Sequence, residues 1–285
     1  LDVRLQKELH LPELLSPTGK SAQFALPIPQ VPEDAEVDRS QGRTIVYAPE
    51  SLRLVPEKTA GLRSISFREA FETVRPARQS AEADQRPVLA FAYSREPAEL
   101  TFAAERRKPH VTVRQLLVAR VEEGVAKYED TLFYDVRYSG VKSLRIDVPE
   151  AAAAGLRVAT PGVREETIAP PPDDLMEVCV AWRLSGDAEF FGRGQIKLTW
   201  ETKIDKLEVG KPEELDVPRL IPREVDRAWG QIALVKSETI DVGAAGEPKN
   251  LRPIDPRSDL IEPLPSAARA FEFQDDWELK IAATR

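Results

Sequence analysis

The stretch that decides the fold is EVDRAWGQIALV at residues 224–235, because most of it occurs a second time in the same chain. EVDRSQGRTIVY, at residues 36–47, has the same Glu-Val-Asp-Arg, the same glycine after two further residues, and a similar apolar run behind it. A match of four residues arises easily by chance in a chain of 285 residues. A duplication predicts more, namely that the neighbouring segments also correspond in the same order.

The neighbouring segments do correspond. Before the repeated phrase, each copy has a proline-rich connector. After the phrase, each copy has an apolar strand, a few polar residues and a second apolar strand. Collinear matches whose length changes fall in loops are typical of duplication, so we predict two copies of one small β-rich unit. The paired segments are 24–32 with 215–222, 42–54 with 230–242, 61–66 with 250–255, and 90–106 with 270–285.

The chain between the copies, residues 107–208, has the pattern of short strands. Apolar and polar residues alternate in HVTVRQLLVARVEEG, DTLFYDVRYSG, VKSLRIDVP, LMEVCVAWRL and GQIKLTWETKI. In the first of these the alternation changes phase after Val113, which predicts a kink or bulge near Gln115. FGRG at 191–194 is interpreted as a hairpin turn. Several short strands within about 100 residues predict an immunoglobulin-like β-sandwich.

One helix is predicted in the first copy. SFREAFETVR, at 66–75, has apolar residues at helical spacing, and Ser66 with Glu69 matches a capping box. The predicted fold is therefore mainly β, with an immunoglobulin-like β-sandwich module flanked by two copies of a smaller β-rich unit with one short helix. The predicted domains are the tail of a preceding module (1–24), copy 1 (25–106), the β-sandwich (107–208), and a connector with copy 2 (209–285).

The charge balance argues against a nucleic-acid partner. The chain has 40 Lys and Arg against 48 Asp and Glu, a net charge of −8, whereas nucleic-acid binders present a basic surface. Its one compact basic cluster, ERRKPH at 105–110, has no aromatic residues between the charges to stack on bases. We interpret this cluster as a connector between strands.

The sequence has features of neither a membrane helix nor a signal peptide. No apolar run approaches the roughly 20 residues of a membrane helix, so we predict that this segment does not insert into a membrane. The chain begins with LDVRLQKELH, which has neither an initiator Met nor the pattern of a signal peptide. We interpret it as a segment of a larger protein whose targeting sequence lies outside it.

The sequence shows no catalytic, cofactor-binding or metal-binding motif, and we predict that the chain is not an enzyme. His10 and His110 are the only histidines, and neither has a Ser or Cys nucleophile signature beside it. Cys179, the single cysteine, lies in an alternating strand and is interpreted as a small core residue. The acidic pairs at 173–174 and 275–276 lack the spaced oxygen ligands of a calcium loop.

Trp229 is the one candidate for contact with a ligand. Trp182 and Trp200 lie on alternating strands, where packing in the core is expected. Trp229 corresponds to Gln41 in the first copy, so the fold of the unit does not require an aromatic side chain at this position. A tryptophan of this kind suits a surface on which sugars stack.

The order of these segments resembles the repeated β-rich regions of very large, uncharacterised bacterial envelope proteins of the planctomycete type. The resemblance rests on REVDRAWGQIALV, NLRPIDP, AFEFQDDWELKIAATR, AFAYSREPAELTFAAERRKPHV and DTLFYDVRYSGVKSLRIDVP. It covers most of residues 25–285 and implies a secreted or envelope location. It implies no activity and no catalytic residues, because that family has neither assigned.

From these patterns we expect a non-enzymatic structural or adhesive spacer within a large modular extracytoplasmic protein, in the periplasm, the envelope or the medium. The first alternative is a carbohydrate-binding module that uses Trp229. An accessory part of a hydrolase is the second. The expected partners are envelope polysaccharide or other modules of the same parent protein.

Overall fold

The computed structural model describes residues 11–15, 21–28, 41–72, 85–94, 98–169, 179–204, 207–274 and 276–285. The chain divides into two compact units, Leu1–Lys108 and Pro109–Arg285. Strands dominate both units, so the protein is mainly β, as predicted. Among the described residues, no helix has both the length and the apolar composition to span a membrane. The repeated phrase of the first copy, at 36–39, lies outside the described residues.

The first unit contains two three-stranded antiparallel sheets. Its elements are a 3-10 turn (Pro12–Leu15), β1 (Ser21–Leu26), β2 (Gly42–Pro49), β3 (Leu52–Lys58), β4 (Leu62–Ser64), α1 (Phe67–Phe71), β5 (Gln85–Tyr93) and β6 (Leu100–Arg106). One sheet has the order β2-β5-β4 and the other the order β1-β6-β3. Val46, Phe91 and Phe102 from these sheets lie in one apolar core.

The predicted helix of the first unit begins at Phe67. The Oγ of Ser66 accepts a hydrogen bond from the backbone N–H of Glu69 at 3.1 Å, which is the cap that the sequence predicts. Ala70 is the fully buried residue of this helix. The guanidinium of Arg43, on β2, donates to the carbonyl of Glu69 and ties the helix to the sheet.

The second unit contains one large and one small sheet. Its elements are β7 (His110–Glu122), β8 (Val125–Pro149), α2 (Glu150–Ala153), β9 (Arg157–Val158), β10 (Val163–Ile168), β11 (Cys179–Lys203), β12 (Glu213–Asp216), β13 (Ile221–Arg223), β14 (Arg227–Val235), β15 (Asp241–Ala244), β16 (Arg252–Ile254), β17 (Ala267–Phe273) and β18 (Lys280–Thr284). The large sheet has the order β10-β11-β8-β7-β14-β17-β16, with β9 paired to β11 and β13 paired to β8. The small sheet has the order β12-β18-β15.

Two local predictions for the second unit are wrong. FGRG does not form a hairpin, because it lies inside the continuous strand β11 next to a register shift. β7 has no bulge at Gln115, since its register with β8 is regular from His110 to Glu122. Gln115 instead takes the inward position between Val113 and Leu117, and is buried. The break in the apolar alternation of the sequence therefore reflects a polar side chain at a core position and not an extra residue in the strand.

The two units share the pairing of six strands. β2-β5-β4 corresponds to β14-β17-β16, and β1-β6-β3 corresponds to β12-β18-β15. The register is also the same, since Gly42 lies opposite Tyr93 and Gly230 lies opposite Phe273. In both sheets the register then shifts between the fourth and fifth residues after the glycine.

β14 has an additional partner in the second unit. It pairs in parallel with β7 over nine residue pairs, from Arg227 opposite Thr112 to Val235 opposite Arg120. β14 therefore continues the sheet that β7, β8 and β11 form. The segments 107–208 and 209–285 consequently share one sheet within a single compact unit.

The repeated phrase joins the start of β14 to the start of β7. The carboxylate of Asp226 accepts a hydrogen bond from the backbone N–H of Val111 at 2.7 Å and lies 3.1 Å from Nδ1 of His110. The backbone N–H of Asp226 donates in turn to the carbonyl of Val111 at 2.8 Å. Val225 packs against the core. The phrase thus sets where the parallel pair begins.

We expect Asp226→Ala to lower the free energy of unfolding by about 1–2 kcal/mol, because the backbone N–H of the buried residue Val111 loses its acceptor. Asp226→Asn keeps a side-chain oxygen and should cost less. Urea denaturation of both variants measures the difference. An equal loss of stability in the two variants would show that the charge on Asp226, and not the hydrogen bond to Val111, is what stabilises this junction.

Candidate functional site

Trp229 lies on the outer face of the large sheet. Successive side chains of a strand point to opposite faces, and Ile232 and Leu234 of β14 point into the core, so Trp229 points away from it. Its side chain is half-buried. In the register of the sheet Trp229 lies beside Arg114 of β7, which lies beside Phe133 of β8, which lies beside Gln195 of β11.

These four side chains form one row across four strands. A second row runs next to it, with Arg227, Thr112, Asp135 and Arg193 in the same order of strands. Together the rows border a cleft of about 660 Å³, which we call the Trp229 cleft. Its lining residues are Thr112, Arg114, Phe133, Tyr134, Asp135, Arg137, Arg193, Gly194, Gln195 and Trp229.

Guanidinium groups lie over both aromatic rings at the Trp229 cleft. The Cζ atom of Arg227 is 4.7 Å from the centre of the Trp229 ring, and the Cζ atom of Arg114 is 5.8 Å from that of Phe133. Both distances are within the range of cation–π attraction. The aromatic side chains therefore hold cations in place on this face.

One carboxylate faces these cations. Arg137 donates to Oδ2 of Asp135 through Nε at 3.1 Å and Nη2 at 2.6 Å. These hydrogen bonds hold the pKa of Asp135 below its ordinary value of 3.8, and the charge of Arg193 lowers the pKa further. Within the described part of the chain, neither Arg114 nor Arg193 forms an ion pair with a carboxylate.

The other tryptophans do not line the Trp229 cleft. Trp182, Trp200 and Trp277 are buried in the core of the second unit, which agrees with the prediction for the first two. Trp200 stacks on Tyr128, with ring centres 5.1 Å apart. Trp229 is thus the tryptophan on the surface, and its neighbours across the sheet belong to strands far away in sequence.

A second cleft, of about 620 Å³, lies further along β7, β8 and β11 and holds charges of both signs. Two of these charges are already paired, since Glu129 lies 2.8 Å from Lys197 and Lys127 lies 2.5 Å from Glu122. Its other charges, Arg120, Arg157 and Glu201, are of both signs, whereas the two charges that line the Trp229 cleft without an ion pair among the described residues, Arg114 and Arg193, are both positive. Its lining residues are Val118, Arg120, Lys127, Tyr128, Glu129, Gly155, Arg157, Thr199, Trp200, Glu201 and Leu264.

A buried polar cluster lies on the inner side of the same strands, and the sequence patterns did not reveal it. The side-chain amide of Gln115 donates to Oδ2 of Asp130 at 2.5 Å and to the carbonyl of Leu220 at 3.3 Å. Oδ1 of Asp130 and the hydroxyl of Tyr134 have no hydrogen-bond partner among the described residues. Burial raises the pKa of Asp130 from 3.8 to about 7. The signal that could have indicated it is Gln115, a polar residue inside an apolar alternation.

The remaining candidate residues are placed as follows. His110 contacts Asp226, and His10 lies outside the described residues. Cys179 is half-buried at the first position of β11. The acidic pair at 173–174 and residue 275 lie outside the described residues, and no group of three His, Cys, Asp or Glu side chains that could hold a metal occurs among those described.

No protein-family model and no curated protein matches this sequence. Among solved structures, an M1 zinc metallopeptidase from Deinococcus radiodurans matches 60% of this chain and 42% of its own, at 10% identity and a TM-score of 0.31. Leukotriene A4 hydrolase from Saccharomyces cerevisiae matches 61% of this chain and 29% of its own, at 8% identity and a TM-score of 0.30. The chain therefore covers less than half of the length of each of these two proteins, and the low TM-scores assign it neither their fold nor their activity.

Proposed function

We propose that this chain is a non-enzymatic, adhesive segment of a large modular extracytoplasmic protein, and that it attaches to polysaccharide through the Trp229 cleft. The observation that carries the proposal is the cleft itself. It combines an aromatic side chain that the first copy lacks, on β14, with polar and cationic groups from three further strands. Binding sites on sheet faces need such convergence of side chains from several strands.

The lining of the Trp229 cleft supports adhesion more than hydrolysis. Its one carboxylate, Asp135, is bound by Arg137 and stays ionised. Glycoside hydrolysis ordinarily needs two carboxyl groups, one of which donates a proton. The extracytoplasmic location, and membership of the planctomycete-type repeat proteins, belong to the proposal through the resemblance of the sequence.

An immunoglobulin-like β-sandwich is likewise part of the proposal, now spanning the second unit and not residues 107–208 alone, because the strands of 107–208 lie in one sheet. Its support is that the two sheets of the second unit contribute to one core, since Ile232 of the large sheet and Ile281 of the small sheet both belong to it. Two sheets that share a core in this way pack face to face. Such a unit would present the outer face of its large sheet, with Trp229, to a ligand.

We expect Trp229→Ala to weaken binding to an envelope polysaccharide by at least about tenfold, which corresponds to about 1.4 kcal/mol. The reason is the loss of the indole and of the position that it gives to Arg227. Affinity gel electrophoresis of the full chain in a panel of polysaccharides measures the change.

The matched control is Phe67→Ala, which removes a partly exposed aromatic side chain from the first unit. It should leave the affinity unchanged. If neither protein is retarded in any gel, attachment through the Trp229 cleft is wrong. If a polysaccharide retards the wild type and the Trp229→Ala variant equally, the attachment site lies elsewhere.

A further inference from the structure

We infer that the Trp229 cleft takes an acidic polysaccharide whose negative charges are carboxylates, as in a polymer of uronic acids. This inference rests on the proposed function and names its ligand class. The inference follows from three features of the cleft: its positive charges, the guanidinium groups that lie over its aromatic rings, and the binding of Asp135 by Arg137.

Positive charges predominate at the Trp229 cleft. Arg114, Arg137 and Arg193 line it together with a single carboxylate, Asp135, and Arg227 lies over the ring of Trp229. The whole chain has a net charge of −8, so this cationic cleft is an exception to the character of the molecule. A surface of this kind attracts a polyanion locally and favours binding in one place.

The guanidinium groups that lie over the aromatic rings argue against a neutral sugar as the ligand. A neutral pyranose ring binds by stacking on an open aromatic face. The guanidinium of Arg227 already lies over Trp229, and that of Arg114 lies over Phe133. The rings therefore present fixed cations to a ligand, and Trp229 acts as a positioning residue for Arg227. The same cover disfavours a nucleic acid, whose bases would need those faces for stacking.

The spacing of the cations suits a chain with repeated charges. Arg114 and Arg193 lie on strands two steps apart in the sheet and in neighbouring rows. Strands are about 4.8 Å apart, so two steps separate their backbones by roughly 10 Å. Arg114 and Arg193 have no carboxylate partner among the described residues and are exposed, so both are available to successive charges of a polymer.

The cleft itself shows that its guanidinium groups hold a carboxylate. Arg137 donates twice to Asp135, and the charge of Arg193 helps to keep that carboxyl ionised. Planar guanidinium groups match planar carboxylates especially well, because two N–H groups meet the oxygens together. A uronic acid would offer the same group to Arg114 and Arg193.

The experiment uses the full chain and polygalacturonate, with fully methyl-esterified polygalacturonate as a neutral polymer of the same backbone. The variants are Arg114→Gln, Arg193→Gln and the double variant, each checked for an unchanged melting temperature. Arg164→Gln is the control, since it removes one exposed charge on β10 that pairs with Asp187. Dissociation constants are measured by titration calorimetry at low and at physiological salt.

We expect polygalacturonate to bind and the methyl ester to bind at least tenfold more weakly. Each cleft variant should lose about tenfold in affinity, the control less than twofold, and added salt should weaken binding of the wild type. Equal binding of the ester overturns the acidic ligand and leaves the proposed function standing. Absence of binding to both polymers, with none in the wider panel, overturns both. Tighter binding of dextran sulfate or single-stranded DNA than of polygalacturonate overturns the carboxylate class.

Discussion

Gly230→Ala is expected to destabilise the second unit by about 3 kcal/mol, because a methyl group has no room at this position. A Cβ atom on Gly230 would overlap the carbonyl oxygen of Gln115 and would lie 2.8 Å from Cβ of Gln115 and from Cζ of Phe273. The carbonyl belongs to the backbone of β7 and cannot move without disturbing the parallel pair of β7 and β14. Urea denaturation of the full chain, followed by tryptophan fluorescence, measures the loss.

Two other glycines are the controls for this prediction. A Cβ atom on Gly194, in β11, would have no neighbour within 4 Å, so Gly194→Ala should change stability by less than about 0.5 kcal/mol. A Cβ atom on Gly42 would overlap only the end of the Tyr93 ring, which can turn aside, so Gly42→Ala should cost less than Gly230→Ala. Equal stability of the wild type and Gly230→Ala would contradict the close approach of β7 to β14.

Asp130→Asn is expected to change how the stability of the second unit depends on pH. The pKa of Asp130 in the folded protein is about 7, above its ordinary value of 3.8, because burial disfavours the charged form. Its contribution to stability is therefore complete below pH 3.8 and is lost progressively as the pH rises to about 7. A pKa of about 7 in place of 3.8 corresponds to at most about 4 kcal/mol. The neutral asparagine should abolish this loss.

The measurement is the free energy of unfolding of the wild type and of Asp130→Asn at pH values from 5 to 8. Other titrating groups are common to both proteins, so the difference between the two isolates Asp130. That difference should shift in favour of the variant as the pH rises and level off above pH 7. Asp135→Asn is the control, because the pKa of Asp135 is lowered and lies below this range. A difference that does not vary with pH would show that Asp130 is ionised throughout.

Those parts of the fold that depend on local sequence were predictable. Alternation of apolar residues located β7, β8 and β11 and placed Trp182 and Trp200 in the core, and the apolar run after the repeated phrase located β14. The Ser66 cap located α1, since its hydrogen bond to Glu69 joins residues three apart in the chain. Such features are decided within a few residues, where pattern and chemistry act together.

The Trp229 cleft was predictable only in one residue. Comparison with Gln41 identifies Trp229 as a candidate, but Arg114, Phe133 and Arg193 carry no signal of their own in the sequence. They meet Trp229 because the register of β14, β7, β8 and β11 places them in adjacent rows. Register is set by long-range packing, and a shift of one residue would turn each side chain to the other face.

The buried cluster of Gln115 and Asp130 has a signal in the sequence, but that signal predicts a bulge and not a hydrogen-bonded core. A glutamine inside an apolar strand predicts a change of phase, because a polar side chain is rare in a core. It is tolerated here because Asp130 and the carbonyl of Leu220 accept hydrogen bonds from it. These partners lie 15 and 105 residues away, beyond the reach of a local pattern.

The parallel pair of β7 and β14 determines how this protein can be divided for experiments. A fragment that ends at residue 208 would leave β7 with nine residues of its backbone unpaired, and the complementary fragment would expose the same length of β14. Both edges are flanked by apolar side chains, including Val113 and Ile232. Exposed strands of this kind recruit strands from other molecules, so the two fragments would aggregate or reassemble with each other rather than remain as separate folded pieces.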